Sequence, residues 1–282
     1  MKLLSFRLPK THDLFFVGDI HEGNALVSHH GIAKMVKIIK KKAANRVVLM
    51  GDLADAIEHT DKRYSRTTLD EKTPVPLLQY QAVVEMLKPL RGRILCALEG
   101  NHDYGIAERF GDMVADYVCR ELQTEYGTYM AKLSICAQNG ELMYKVFVTH
   151  GGRSITSCAD DPIRVRSNLC LRLKRLLRHQ AGDAVIMGMG HAHKLLVQPP
   201  VAELYLTDDA DRVRENYTAA EQTGKYIHPD LRYYFCSGSF LKGQGDGISG
   251  YAERKQYDPT EIGFVVAHIE NGIVTGVEKI VL

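Results

Sequence analysis

The segment MGMGHAHK, residues 187–194, ends an apolar run with a glycine and then sets His191 and His193 two positions apart. In extended backbone, residues i and i+2 project to the same side, so both imidazoles leave the strand end together. Paired imidazoles suit a metal ion. Four more apolar runs end in the same way. DLFFVGD (13–19) leads into Asp19-Ile20-His21, NRVVLMGD (45–52) into Asp52 and Asp55, RILCALEGN (93–101) into Asn101-His102-Asp103, and ELMYKVFVTH (141–150) into His150-Gly151-Gly152-Arg153. The last run, DAVIMGMGH (183–191), carries the histidine pair itself. Asp19, His21, Asp52, Asn101, His150, His191 and His193 make seven nitrogen and oxygen donors. One divalent ion takes about four to six ligands. Seven, with one carboxylate shared, suit two ions about 3.5–4 Å apart, the spacing of two-metal hydrolases. Imidazole and carboxylate without thiolate favour manganese, iron, zinc, nickel or cobalt over magnesium or calcium, with manganese the first expectation. None of the six cysteines falls in a block, which argues against a structural zinc site.

Elements that deliver these residues can be read between the blocks. NALVSHHGIAKMVKIIKKKA (24–43) reads as a helix with Ile32, Met35, Val36 and Ile39 on one face. PLLQYQAVVEMLKPL (76–90) is a second helix and AERFGDMVADYVCREL (107–122) a third. Strand, helix, strand, helix, strand is the rhythm of a layered α/β fold, whose ligands lie beyond the carboxyl ends of the strands. TYMAKLSICA (128–137) and ELMYKVFVTH flank Gln138-Asn139-Gly140, a strong hairpin signal. Residues 161–180 form a basic helix with Asp161 as its cap and Pro162 in its first turn. RYYFCSGSF, IGFVVAHIE and GIVTGVEKIV read as strands, the last two joined at Asn271-Gly272. Mixed strand directions with helices outside predict two packed sheets in a single domain over 1–282, with 199–230 as an irregular insertion or cap.

A chain of 282 residues can bury a sizeable core without staples, and 45% apolar with 25% charged residues is ordinary for a globular protein. A net charge of +2 makes no global case for nucleic acid. No apolar run is long enough to span a bilayer, and the N-terminal residues lack the apolar core of a secretory signal. Six scattered cysteines without a Cys-x-x-Cys pair read as reduced thiols, so a cytoplasmic location is expected.

In this order the five blocks resemble the calcineurin-like metallophosphoesterase family: Asp-x-His, Gly-Asp-x-x-Asp, Gly-Asn-His-Asp, a His-Gly after a strand, and Gly-His-x-His, from residue 18 to 193. The resemblance implies a four-layer α/β/β/α sandwich, two mixed sheets flanked by helices, with a dinuclear site. It implies Asp19, His21 and His193 on one ion, Asn101, His150 and His191 on the other, and Asp52 bridging. It implies His102 as general acid at the leaving-group oxygen and Asp55 as the carboxylate that orients it. The implied reaction is attack on a phosphoester by metal-activated hydroxide. One departure separates the chain from the protein serine/threonine phosphatases of this superfamily, which carry Arg-Gly after the second Asp and Glu in the Asn-His block; here Ala56 follows Asp55 and the block is Gly-Asn-His-Asp.

For the substrate, the helix of residues 162–180 carries Arg164, Arg166, Arg172, Lys174, Arg175 and Arg178 and no acid, over an apolar stripe of Val165, Leu169, Leu173 and Leu176. A basic track between two ligand blocks suits a polyanion, so a phosphodiester of DNA or RNA is the first expectation, similar to the repair-nuclease branch. Arg153 could grip phosphate bidentately. Tyr251, Tyr257 or the Gly-Ser turn at 237–239 could stack on a base or cradle phosphate. Two alternatives stand beside it: a phosphomonoesterase or small-nucleotide hydrolase, including one for cyclic nucleotides, and a non-catalytic scaffold of the same fold.

Overall fold

The computed structural model describes residues 1–61, 63–245 and 247–282, with backbone alone at 108–110. Two six-stranded mixed sheets form its centre. One runs β14 (Ile273–Val281), β13 (Gly263–Glu270), β2 (His12–Val17), β3 (Arg46–Leu49), β4 (Ile94–Ala97), β5 (Glu125–Tyr126), and its last four strands are parallel. The other runs β1 (Lys2–Arg7), β6 (Met130–Cys136), β7 (Leu142–Thr149), β8 (Ile186–Met189), β12 (Tyr233–Ser237), β9 (Leu195–Gln198), with β7, β8 and β12 parallel. Helices α1 (His29–Lys40), α2 (Pro76–Leu87), α3 (Asn101–Phe110), α4 (Cys119–Leu122), α5 (Pro162–Leu177) and α6 (Tyr251–Arg254) complete it, with a hairpin of β10 (Leu204–Asp209) and β11 (Arg212–Tyr217). No described helix is long and apolar enough to cross a membrane.

Period-two burial explains the layering. In β2, every residue of which is buried, Phe15 and Val17 join α1 and α2 through Ile32, Met35, Ile39, Tyr80 and Val83. Leu14 and Phe16 turn the other way and meet Leu133, Val146, Val148 and Phe235 of the second sheet. Phe147 of β7 and Met187 of β8 point outward again, onto Leu173 and Leu177 of α5. Side chains alternating across two stacked sheets give helix, sheet, sheet, helix, the expected four-layer α/β/β/α class. Strands buried on both faces read as continuous apolar runs, which is why they were visible in the sequence.

Local chemistry sets the boundaries. The first helix starts at His29 rather than 24 because the Ser28 hydroxyl accepts the Gly31 N–H at 3.2 Å. The basic helix begins as expected, with the Asp161 carboxylate accepting the Arg164 N–H at 2.9 Å. Its buried stripe is Cys170, Leu173 and Leu177, rotated from the expected one so that Val165, Leu169 and Leu176 are only half-buried. The expected helix over 107–122 is instead two pieces. α3 opens directly at Asn101, Gly111 breaks it at φ +82°, and a π turn at Val114–Val118 leads into α4. The expected irregular stretch over 199–230 contains the β10–β11 hairpin, whose residues are nearly all exposed and whose strands pair only with each other.

Candidate metal centre

Parallel strands that end together bring their following loops together. β2, β3 and β4 in one sheet and β7 and β8 in the other finish at the same end of the sandwich, and all seven donors converge there. His21 Nε2 lies 3.0 Å from His193 Nε2, and the two stand 4.0 and 3.4 Å from Asp19 Oδ1. Asn101 Oδ1 lies 2.6 Å from His191 Nδ1 and 3.1 Å from His150 Nε2. Asp52 Oδ2 falls between the two sets, 3.3 Å from His150 Nε2 and 3.7 Å from His21 Nε2. Asp19, His21, Asp52 and His150 are fully enclosed, while Asn101, His191 and His193 are half-buried and open the group to solvent.

Hydrogen bonds behind the donors fix which atoms face inward. The carbonyl of Met50 takes His150 Nδ1 at 2.9 Å, leaving Nε2 toward Asp52. Backbone N–H of His191 donates to both oxygens of Asp19 at 3.1 and 3.0 Å. The N–H of His102 donates to Asp52 Oδ1 at 2.9 Å, leaving Oδ2 for the centre. The buried Ser239 hydroxyl donates to the Asp19 carbonyl at 2.9 Å. The Gly-Ser turn at 237–239 is therefore interior and supports a donor-bearing loop; it offers no phosphate cradle. Tyr251 and Tyr257 are exposed and meet edge to face at 5.9 Å.

The backbone at this end is strained. Asp19, His21, Asp52, His191 and His193 all have φ between 47° and 64°. A non-glycine residue there costs roughly 1–3 kcal/mol and persists only where neighbours enforce it. Enforcement comes from strand pairing carried past the strand ends: Asp19 N–H to the Gly51 carbonyl, His21 N–H to the Asp52 carbonyl, both near 3 Å. Gly51 (φ +89°) and Gly100 allow the close approach, since a Cβ on Gly100 would collide with the Asp52 carboxylate.

Charge is as crowded as the backbone. Burial raises Asp52, but the imidazoles of His150, His102 and His21 outweigh it and hold the carboxyl far below its ordinary range. Burial disfavours charge on His150, yet Asp52 and Asp19 push it up to about 9. His21 is lowered by burial, only partly opposed by Asp55. Buried Asp103 is pushed up to about 6 by burial and the Asp52 charge; it accepts the Tyr80 hydroxyl and the Gly100 N–H.

His102 stands at the rim, its ring edge-on to His21 at 4.7 Å. Its Nδ1 donates at 2.5 Å to the backbone carbonyl of Asp55. The Asp55 carboxylate is nearer His21 Nδ1 (3.3 Å) than His102 Nδ1 (3.7 Å). The orienting atom for His102 is thus the main-chain oxygen of Asp55, while its carboxylate backs His21. Arg153 is exposed. Arg63, which the sequence did not single out, places Nη1 at 3.3 Å from His102 Nε2. Asp61 clamps its other nitrogens, at 2.7 Å for Nη2. Both line a small cavity of 140 Å³ with Ala56, Glu58, Gly105 and Ile106. The only signal for Arg63 was an Asp-x-Arg spacing within a polar loop.

The donors fit divalent metal. Asp19, His21 and His193 offer atoms within 4.8 Å of one another, as do Asp52, His150 and His191. His21 Nε2 and His193 Nε2, 3.0 Å apart, are joined by a single N–H···N bond or, with both protons on Nδ1, turn two lone pairs toward one point, as ligands of one ion do. His21 Nδ1 faces the Asp55 carboxylate, which leaves Nε2 toward the centre. Nitrogen and oxygen donors pressed together in this way suit a divalent cation.

No protein-family model matches the chain, and no curated protein matches it. Among solved structures it is similar to Vps29 of Chaetomium thermophilum, at 11% identity over 95% of this chain and 96% of that one, with a TM-score of 0.36. It is similar to a metallophosphoesterase of Sphaerobacter thermophilus, at 14% identity over 95% and 88% of the two chains, with a TM-score of 0.40. A Streptococcus pneumoniae protein described as a predicted phosphoesterase aligns at 13% identity over 96% and 97%, with a TM-score of 0.29.

Proposed function

We propose that the chain is a metal-dependent phosphoesterase of the calcineurin-like superfamily. Asp19, His21 and His193 would hold one divalent transition ion and Asn101, His150 and His191 a second, with Asp52 placed to serve both. The carrying observation is that seven donors from five strand ends meet in two sets with Asp52 Oδ2 between them. Bound ions, manganese first, would neutralise phosphate charge and bring the pKa of a coordinated water toward neutrality.

The chain's own residues do the rest. Because His102 Nδ1 is committed to the Asp55 carbonyl, a proton passed to a leaving alkoxide must come from Nε2, which here accepts from Arg63 Nη1 at 3.3 Å and takes up its proton once that arginine turns to the phosphate. Arg63, its guanidinium fixed by Asp61, presents Nη1 on that same side as a donor for phosphate oxygen. Arg153, in the exposed loop after His150, is a further phosphate contact in this reading.

The substrate class we favour is a nucleic-acid phosphodiester. In a strand–helix–strand unit the helix starts at the carboxyl end of its first strand. α5 therefore starts at the edge that carries His150, with Arg164 and Arg166 in its first turns and Arg172, Arg175 and Arg178 beyond, all exposed. Such a track suits a sugar–phosphate backbone passing the site. A panel of single- and double-stranded DNA, RNA, nucleotides and nitrophenyl phosphates, run with manganese, cobalt, nickel, zinc and magnesium, tests the reading. Metal-dependent polymer cleavage is expected. Turnover of monoesters alone reassigns the substrate to phosphomonoesters, and inertness with every ion overturns the catalytic reading in favour of a scaffold.

A further inference from the structure

A third set of ligand-type atoms lies outside the seven-donor group. Glu22, His29 and Asp70 each offer one atom, and these lie within 4.8 Å of one another. The Glu22 carboxylate is almost completely buried, and its Oε2 meets His29 Nε2 at 2.8 Å. All three line an open cleft of 630 Å³ with Lys72, Thr73 and Glu85. Lys72 is the one lysine or arginine among the residues lining it.

The backbone under these side chains is already fixed. Glu22 N–H donates to the Leu53 carbonyl at 3.1 Å and its own carbonyl accepts the Asp55 N–H at 2.8 Å. Asp70 N–H donates to the Gly23 carbonyl at 2.9 Å. His29 is the first residue of α1, directly after the cap at Ser28. The donors therefore sit on three separately anchored segments, and only their side chains need adjust. With metal–ligand bonds of about 2.0–2.2 Å, ligand atoms stand roughly 3–4 Å apart. The half-exposed His29 already bonds Glu22 Oε2 through Nε2 at 2.8 Å, so an ion between them would take the place of that proton. A buried carboxylate beside a second carboxylate is costly unless neutralised. The hydrogen bond to Glu22 and the charge of Asp70 favour the imidazolium form of His29, which offsets part of that cost; a divalent ion held by the same three atoms would replace that proton with twice its charge.

We propose that Glu22, His29 and Asp70 form a separate, single-ion site for a zinc-type divalent cation. Three protein ligands and a cleft open to water leave coordination positions for solvent or a small anion. Oxygen and nitrogen donors without thiolate select zinc, cobalt or nickel over calcium. A bound ion ties the start of α1 and the 66–73 loop to the segment that follows His21. The proposal stands on these three residues and does not require the phosphoesterase reading.

The test uses the full chain stripped of metal. After dialysis against zinc, elemental analysis should give one equivalent more for wild type than for His29→Ala or Asp70→Asn, with circular dichroism unchanged. Cobalt(II) titration followed by proton NMR should broaden the His29 imidazole resonance in wild type. Equal zinc content in wild type and both variants overturns the proposal. So does a His29 resonance that stays sharp when cobalt is in excess, a reading that needs no variant at all. Failure at the seven-donor group appears differently, as no metal lost on Asp52→Asn.

Discussion

The two ends of the sandwich treat charge in opposite ways. At the end where β2 and β8 begin, each buried or half-buried acid has cations of its own. Asp13 meets Lys42 and His268, both at 2.8 Å, and Asp183 meets Lys132 and Lys145 at 2.6 and 2.7 Å. Even the buried guanidinium of Arg232, which has no carboxylate, donates to the carbonyls of Ile227, Arg178 and Ala181. At the end where those strands finish, imidazoles face imidazoles and five donor residues sit in left-handed backbone. One end pairs its charges within the protein; the other gathers donors of the kind that the proposed ions would share. Strain and unmatched donors of this kind are what a functional site retains while the rest of the fold relaxes.

The largest break in that contrast should come from Asp52→Asn. Asp52 Oδ2 faces imidazoles of both donor sets, so losing its charge weakens both together. Metal content by elemental analysis should fall by both equivalents of the seven-donor group, and turnover by about 10³-fold or more, several kcal/mol of transition-state stabilisation. Bound ions stabilise the folded state by mass action, so chelation should lower the wild-type Tm by more than that of the variant. Unchanged metal content would contradict the shared role.

His102→Ala comes next and separates chemistry from metal binding. The ion content should stay at the wild-type level while turnover drops by about 10²–10⁴-fold, the range for a lost general acid. The loss should shrink for a nitrophenyl leaving group, which needs no proton. Wild-type rates on a poor leaving group would remove His102 from that role.

Asp55→Asn sharpens the comparison within the site. Its carboxylate backs His21, so only the Asp19, His21 and His193 set should weaken, by about 10–100-fold in affinity, as for other groups that support a ligand. The main-chain carbonyl that holds His102 Nδ1 is untouched by the substitution. Competitive titration with a chelator should resolve one weakened ion and one unaffected; two equally weakened ions would refute the asymmetry.

Much of this end was legible in the sequence. Strands buried on both faces leave long apolar runs, and the glycines and donors beyond them stand out against those runs. The left-handed turns at Asp19, His21 and Asp52 were not legible, because the conformation is imposed by hydrogen bonds between loops far apart in sequence. Arg63 was missed because it lies in a polar loop without periodicity, fixed by Asp61 two residues before it. The β10–β11 hairpin was missed for a chemical reason: its two-residue connection is Ala210-Asp211, with Ala210 at φ +56°, where Asn-Gly or Asp-Gly is the usual signal. β1 escaped because its alternation buries Leu4 and Phe6 only partly. The expected helix over 107–122 runs through Gly111, whose positive φ ends α3 there, a conformation that the apolar periodicity does not reveal.

The smallest effect belongs to the opposite end. Asp183 is 16% exposed and held between two ammonium groups. Burial raises its carboxyl, but the bonds to Lys132 and Lys145 outweigh that and place it below the ordinary aspartate value. A depressed folded-state pKa contributes stability that is fully present above the unfolded value and lost as pH falls through the folded one. Asp183→Asn should therefore cost about 1–2 kcal/mol at neutral pH. The gap between variant and wild type should be flat from about pH 5 upward and close as pH drops below about 4, the unfolded aspartate value. Urea melts at pH 7 and pH 3 measure this, and metal content should be the same in both proteins. A gap that persists undiminished at pH 3 would mean that packing around residue 183 matters more than its charge.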